Sequence, residues 1–295
     1  MARRTIVLPL DGSSMSASVM PYAVGLAKLF GDEIDVLAVA QRTDLEALDG
    51  RFTSTETEEL HAHVAGIVRE LREQGVICHR SIEHGSPAEV ILRHAEEPAC
   101  RAVVMATHGS SDLDRVILGS VADTVRRHAS VPVLVLCPDT DTTRKPWHLQ
   151  RLLVPLDGTL RSQQALVPAA ELAQRANAEI VLASVQPWMT VDVARRIIAG
   201  TGIESAETDV SRAVSAALHE VARAVAGVRV HTAALRGRAA SRLLAFAREE
   251  RIDLVVMASH GHRGLGRFVH DSVADRLVRG GLPVYLIPAR SPTDH

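Results

Sequence analysis

The chain has 295 residues, a length that suggests about two domains. Its 46% apolar and 23% charged residues are typical of an ordinary globular protein. A net charge of −2 gives no support for binding nucleic acids or membranes through bulk charge, and 3% aromatic residues argue against a base-stacking surface.

Neither a targeting segment nor a membrane span is expected. The apolar run near the amino terminus is short and is broken by Pro9 and Asp11, and no run approaches the roughly 18 residues of a span. The three cysteines, Cys78, Cys100 and Cys137, are odd in number and form no CxxC pair, so neither a disulfide framework nor a zinc site is expected. These features predict that the protein is located in the reducing cytoplasm.

Strands and helices alternate along the first half of the chain. Apolar runs predict strands at residues 5–10, 34–39, 76–82, 102–106 and 131–136. Apolar residues at helical spacing predict helices between them, one stopped by Gly31 and another by Gly75. Ser86 and Pro87 predict a capped helix start, and a further helix is predicted at 120–127.

The second half repeats the first. Residues 6–13 read Ile-Val-Leu-Pro-Leu-Asp-Gly-Ser, and residues 152–159, offset by 146 positions, read Leu-Leu-Val-Pro-Leu-Asp-Gly-Thr. Residues 103–109 return at 255–261, offset by 152 positions, which places an insertion near 187–205. A period of this length predicts a duplicated domain rather than a solenoid. We expect domains at 1–138 and 149–290, joined by a linker at 139–148.

Alternating apolar strands and helices predict an α/β fold with parallel sheets covered on both faces. We expect two tandem doubly wound domains, each with a five-stranded parallel sheet in the order 3-2-1-4-5. Ligands of such sheets bind where the winding reverses, at the carboxyl ends of strands one and four. The loops that leave these two strands are the ones that repeat most closely, which predicts a binding site there.

The residues of these loops suit a phosphate ligand. Gly109 allows a close backbone approach, and after nine intervening residues Gly119 and Ser120 open a helix whose amides and dipole favour an anion. Asp11 is placed to accept from a ribose hydroxyl or an adenine amine. Each feature also occurs in the ordinary turns and helix caps of α/β proteins. The presence of both loops again in the second half favours the binding interpretation.

This combination resembles the universal stress protein family, in its tandem-domain form. That family carries G-x-x-G-x9-G-[ST] after strand four, Pro-x-Asp at the end of strand one and Val-Pro-Val at strand five. Here Ala106 replaces the first glycine, while Gly109, Gly119 and Ser120 match. The resemblance implies ATP, or AMP or ADP, as a ligand at the crevice between strands one and four.

Carried over by position, the resemblance implies one set of binding residues in each half. The first set is Pro9, Asp11, Val39, Met105, Ala106, Gly109, Gly119, Ser120 and Val121. The second set is Pro155, Asp157, Val185, Met257, Ala258, Gly261, Ser272 and Val273. In the second half Asp271 stands where Gly119 stands in the first, and its charge would repel a phosphate. We therefore expect an intact first site and an impaired second one.

Three functions remain open on the sequence. The first is a nucleotide-dependent stress sensor or regulator with at most weak ATP hydrolysis. The second is an interaction protein that no longer binds nucleotide, and the third is an adenylyl-transferring enzyme, although no catalytic constellation is present. We assign no catalytic residue and no metal ligand, and one carboxylate per site is thin support for Mg²⁺.

The remaining expectations concern partners and neighbouring residues. An apolar fifth strand in each half predicts pairing of the two halves through residues 131–136 and 282–287, and the family suggests a homodimer with a regulatory protein partner. His108 and His260 are interpreted as structural or ligand-lining residues. Gly85, Ser86 and Pro87 are interpreted as a helix start near the carboxyl edge of the sheet, with capping as the default role and lining of the crevice as the alternative.

Overall fold

The structure is a computed structural model that describes residues 3–13, 18–40, 54–107, 119–137, 146–186, 203–225, 227–259 and 273–289. The chain divides into two compact units, mainly at the step from His148 to Leu149. Within the described residues no helix is both long enough and apolar enough to cross a bilayer.

The first unit contains a parallel sheet in the order β3-β2-β1-β4-β5. Its strands are β1 (Thr5–Leu10), β2 (Glu33–Ala40), β3 (Cys78–His84), β4 (Cys100–Ala106) and β5 (Val133–Leu136). Its helices are α1 (Met20–Phe30), α2 (Ser54–Glu73), α3 (Pro87–Glu96) and α4 (Ser120–His128). The predicted α/β fold is confirmed in this unit.

The second unit has the same order of strands, β8-β7-β6-β9-β10. The strands are β6 (Arg151–Pro155), β7 (Glu179–Gln186), β8 (Arg229–Arg236), β9 (Leu254–Ala258) and β10 (Val284–Ile287). The helices are α5 (Leu160–Gln163), α6 (Leu166–Ala176), α7 (Ile203–Arg223), α8 (Ala239–Glu249) and α9 (Val273–Arg279). The duplication is thus a duplication of fold, although most of the predicted insertion at 187–205 lies outside the described residues.

Continuous apolar strands form the centre of each unit because helices cover both faces of a parallel sheet. Ile6 and Leu8 of β1 are fully buried, and so are their counterparts in β6 of the second unit, Leu152 and Val154. Helix α1 ends as predicted at Gly31, whose φ of 70° is the left-handed conformation that glycine adopts without strain.

The predicted boundaries of β3 differ from the observed ones by two residues. The sequence places a strand at 76–82, where the apolar residues lie, whereas β3 spans Cys78–His84. Val76 is buried but lies in the turn that closes α2, where its amide donates to the Leu71 carbonyl. Pairing with β2 then carries β3 on to His84, opposite Ala40. The ladder, and not the apolar run, sets the limits of this strand.

Candidate functional site

The carboxyl ends of β1, β2 and β4 lie at one edge of the first sheet. Strand β1 pairs with β2 on one side and with β4 on the other, with Pro9 opposite Leu37 and Val7 opposite Val103. The winding of the sheet therefore reverses between β1 and β4, where ligands of doubly wound folds bind. Residues expected to bind a ligand end these three strands, namely Pro9, Val39, Met105 and Ala106.

A tight turn follows β1 and is repeated after β6. Asp11 Oδ1 accepts hydrogen bonds from the Ser13 amide at 3.0 Å and the Ser13 hydroxyl at 2.6 Å, across Gly12, whose φ is 82°. Asp157 and Thr159 make the same two bonds at 3.0 and 2.6 Å. The Asp-Gly repeat thus has a structural role as a side-chain-closed turn.

The Asp157 carboxyl shows what this turn does electrostatically. Burial opposes its ionisation, but hydrogen bonds from Thr159 and Ser162 outweigh burial and hold its pKa below the usual value. A carboxylate that is already ionised and oriented by its own turn is suited to accept a hydrogen bond from a ligand hydroxyl or amine.

The start of α4 is fixed against the end of β4. The Gly119 amide donates to the Thr107 carbonyl at 2.8 Å, and Thr107 is itself buried and donates to the Leu136 carbonyl of β5 at 2.9 Å. Residues 107 and 119 are therefore adjacent, although eleven residues lie between them in sequence. This contact places Gly119 and Ser120 at the carboxyl edge of the sheet, as the sequence predicted.

The amino end of α4 presents backbone donors that the helix itself does not use. Gly119 caps the helix without any side-chain hydrogen bond, and the first intrahelical bond runs from the Asp123 amide to the Gly119 carbonyl at 2.9 Å. The amides of Ser120, Val121 and Ala122 therefore have no partner within the helix. Such amides, together with the helix dipole, make a favourable position for an anion.

The amino end of a second helix, α3, lies beside the amino end of α4. A cleft of about 510 Å³ lies between the amino ends of α3 and α4, lined by Gly85, Ser86, Pro87, Ala88, Ser120, Val121 and Thr124. Helix α3 begins at Pro87 as predicted, but the expected cap is wrong in one respect, because the Ser86 side chain makes no capping hydrogen bond. Two helix amino ends thus face one cleft.

The contribution of Gly85 to this cleft follows from its backbone. Gly85 has a φ of 142°, which only glycine adopts without strain. The Gly85 amide donates to the Ala40 carbonyl at the end of β2. The sequence favoured capping for Gly85, Ser86 and Pro87, with lining of the crevice as the alternative, and the structure places them in the lining of the cleft. The signal for that alternative was topological, since every helix that follows a parallel strand begins at the carboxyl edge.

The second unit repeats this arrangement with different charges. The Gly237 amide donates to the Gln186 carbonyl at 2.9 Å, as the Gly85 amide does to Ala40. Arg238 then stands at the start of α8, where Ser86 stands at the start of α3. The described candidates of the second set end strands or open a helix, at Pro155, Val185, Met257, Ala258 and Val273.

Several expected site residues lie outside the described part of the chain. These are Gly109, His108, His260, Gly261, Asp271 and Ser272. Among the residues that the structure describes, no group of three or more His, Cys, Asp or Glu side chains is arranged to hold a metal ion.

Comparison with known proteins agrees with this architecture. The universal stress protein family model matches residues 2–136 and again 148–287. A universal stress protein of Methanocaldococcus jannaschii is 31% identical over 138 residues, which are 45% of this chain and 81% of that protein. One from Mycolicibacterium smegmatis is 26% identical over 305 residues, covering 97% of each chain.

The fold match extends over the whole chain. The crystal structure of a universal stress protein from Archaeoglobus fulgidus has a TM-score of 0.72 and 20% sequence identity, and the match covers 98% of this chain and 99% of that one. The chain folds as two α/β domains of the doubly wound class, each matched by the family model. It belongs to the universal stress protein family and carries the family domain twice.

Proposed function

We propose that the first domain binds ATP or a related adenine nucleotide, AMP or ADP, and that the protein acts as a nucleotide-dependent stress sensor or regulator. The observation that carries this proposal is the 510 Å³ cleft, on which the amino ends of α3 and α4 open, both without a side-chain cap. Phosphates are the ligands that such helix ends favour.

The resemblance to the family supplies the roles of individual residues. Gly109, Gly119, Ser120 and Val121 would hold the phosphates, while Asp11 would accept from the ribose or the adenine. Pro9, Val39, Met105 and Ala106 would line the remainder of the crevice. Ala106 stands where the family has glycine, so its Cβ narrows the approach at the end of β4.

For the second domain we propose weaker or altered nucleotide binding. Asp271 replaces the glycine that opens the helix after strand four, and its carboxylate would repel a phosphate. The candidate residues there are Pro155, Asp157, Val185, Met257, Ala258, Gly261, Ser272 and Val273. The Ala106 and Asp271 replacements are also what a nucleotide-free interaction protein would show, and that is the second candidate function.

The test is the nucleotide content of the purified protein. We expect about one adenine nucleotide per chain after denaturation and chromatography. In Gly119→Asp the nucleotide is lost, because a carboxylate then faces the phosphates, whereas aspartate at a helix cap leaves the helix stable. In Asp271→Gly the content rises towards two.

A matched control places the same charge elsewhere. A Cβ added at Gly66, on α2, meets no atom within 4 Å, so Gly66→Asp places a carboxylate on a different helix at a position with room for a side chain to begin. It should keep the nucleotide content of the unmodified protein. If no nucleotide is released and calorimetry detects no ATP binding, the sensor function is wrong and the interaction protein replaces it.

A further inference from the structure

A network of polar side chains links β2, β3 and α3 of the first domain. His94 of α3 places Nδ1 at 3.0 Å from Asp35 Oδ2 and Nε2 at 2.6 Å from Glu83 Oε1. The Ser81 hydroxyl donates to Asp35 Oδ1 at 2.7 Å, and Arg93 forms an ion pair with Glu83. Asp35 and His94 are 7% and 8% exposed. We call Asp35, Ser81, Glu83 and His94 the His94 network.

The second domain carries hydrocarbon at the same four positions. By the offset of 146, Val181 is the equivalent of Asp35 in the second domain. By the offset of 152, the equivalents of Ser81, Glu83 and His94 are, in that order, Ala233, Leu235 and Phe246. Val181, Leu235 and Phe246 are buried core residues. The fold therefore does not require polar groups here, and replacing a buried ion pair by packed hydrocarbon is often neutral or stabilising.

The two carboxylate contacts of His94 suit a protonated imidazole. Ionised carboxylates only accept hydrogen bonds, so both contacts are hydrogen bonds from His94 only in the protonated, imidazolium form of the ring. When the proton leaves, one nitrogen lone pair faces a carboxylate oxygen and that contact becomes repulsive. Histidine is the side chain that ordinarily changes charge between about pH 5 and 8.

The acid side of the same network is governed by Glu83. The hydrogen bond from His94, followed by the one from Arg93, holds the pKa of Glu83 below its ordinary value of 4.5. A depressed pKa in the folded state means that this contribution to stability is present above pH 4.5 and is lost as the pH falls through the folded-state value. Glu83 is therefore ionised, and able to accept from His94, throughout weak acid and at higher pH.

Other charged groups around α3 have partners of their own. Strand β1 carries no titratable side chain, and on β4 Arg101 is paired with Asp32. Also on β4, burial raises the pKa of the Cys100 thiol to about 11, so it stays neutral. On α4, Asp123 pairs with Arg126 and Arg127. On β3, His79 pairs with Glu33. The other charged or titratable side chains of β3, Arg80 and His84, are exposed to solvent.

The network is close in sequence to the cleft residues. Glu83 comes two residues before Gly85, and His94 lies on the helix that begins at Pro87, and both Gly85 and Pro87 line the cleft. Helix α3 is held by its connection to β3, by its buried Val90, Ile91 and Ala95, and by the contacts of His94 with β2 and β3. The His94 contacts are the polar part of this attachment.

We propose that His94 is a positioning residue that holds the start of α3 at the nucleotide cleft while its imidazole is protonated. The nucleotide affinity of the first domain then falls as the pH rises through the neutral range. This inference rests on the proposed nucleotide function, and it assigns that site a dependence on pH that the second domain lacks.

Hydrogen exchange tests the structural part without nucleotide. Amide protection factors of α3, corrected for intrinsic rates, should fall about tenfold between about pH 6 and 9, while those of α8 in the same molecule stay constant. Helix α8 is the internal control because Phe246 replaces His94 on it. Parallel changes in α3 and α8 would overturn the inference.

ATP affinity tests the functional part. The unmodified protein should bind ATP about tenfold more weakly at pH 9 than at pH 6. The variant D35V/S81A/E83L/H94F, which copies the second domain, should lose this dependence, and it also corrects for titration of ATP itself. Retention of the full dependence in the variant contradicts the inference. Absence of ATP binding at every pH would contradict the proposed nucleotide function. The amide hydrogen exchange of α3 would then still test whether His94 holds this helix.

Discussion

At the scale of single residues, burial separates the three cysteines. Cys78 and Cys100 are buried and Cys137 is partly exposed, and all three are free thiols. Burial raises the pKa of Cys100 to about 11 and also raises that of Cys78, whose Sγ donates to the Val68 carbonyl. Because the thiolate is the reactive form, the two buried thiols are chemically inert in the folded protein.

We expect one thiol per folded chain to react with a disulfide reagent at pH 8, and three after unfolding in guanidinium. The fast thiol is Cys137, so Cys137→Ser should show no fast reaction and two thiols after unfolding. Fast reaction of two or more thiols in the unmodified protein would show that burial of Cys78 or Cys100 does not protect it.

At the scale of elements, helix α1 is shaped by a ring that packs on its glycine. A side chain at Gly25 would place its Cβ 2.5 Å from Cε3 of Trp147, and the Trp147 and Tyr22 ring centres are 5.4 Å apart. Trp147 lies near the end of the predicted linker, so the end of that segment packs on α1. The glycine in the middle of this helix is explained by the close approach of the indole ring, and not by the helix itself.

Gly25→Ala should therefore displace the Trp147 ring. We expect a red shift of its fluorescence and a net loss of about 1–2 kcal/mol in the free energy of unfolding, since overpacking outweighs the better helix propensity of alanine. The measurement uses urea unfolding in a Trp188→Phe background, which leaves Trp147 as the only indole.

Gly66→Ala on α2 is the control for this comparison. A side chain there meets no atom within 4 Å, so alanine should stabilise by about 0.5–1 kcal/mol. Equal effects of the two substitutions would mean that contact with Trp147 does not constrain Gly25.

At the scale of the whole molecule, the duplication kept the fold and changed the chemistry. Each unit has the same strand order and the same turn after its first strand. Ser86 precedes α3 in the first unit, whereas Arg238 precedes the equivalent helix α8 in the second. The polar side chains of the His94 network are replaced by hydrocarbon side chains in the second unit. The predicted domain limits, the cytoplasmic location and the pairing of the two halves stay predictions.

Association of two chains is likewise a prediction. The chain mass is 31.8 kDa, and we expect light scattering after gel filtration to give about twice this value over a range of protein concentrations. A mass that stays at that of one chain throughout would contradict the homodimer.

The sequence by itself determined the family, the α/β fold and the local signals of its elements. The strand at Thr5–Leu10 was predicted correctly because a buried parallel strand is a continuous apolar run, and the start of α3 because Pro87 suits a first helical position. It also placed Gly119 and Ser120 at the start of α4, since helix starts are encoded within one turn.

Only the tertiary structure decided which distant residues meet. The limits of β3 depend on its ladder with β2, the cleft combines two helix starts more than thirty residues apart in sequence, and His94 finds its carboxylates on two strands. In sequence, Asp35, Glu83 and His94 look like ordinary charged residues of strands and a helix. Their chemistry arises from burial and mutual contact, which depend on the packing of elements and not on local residue pattern.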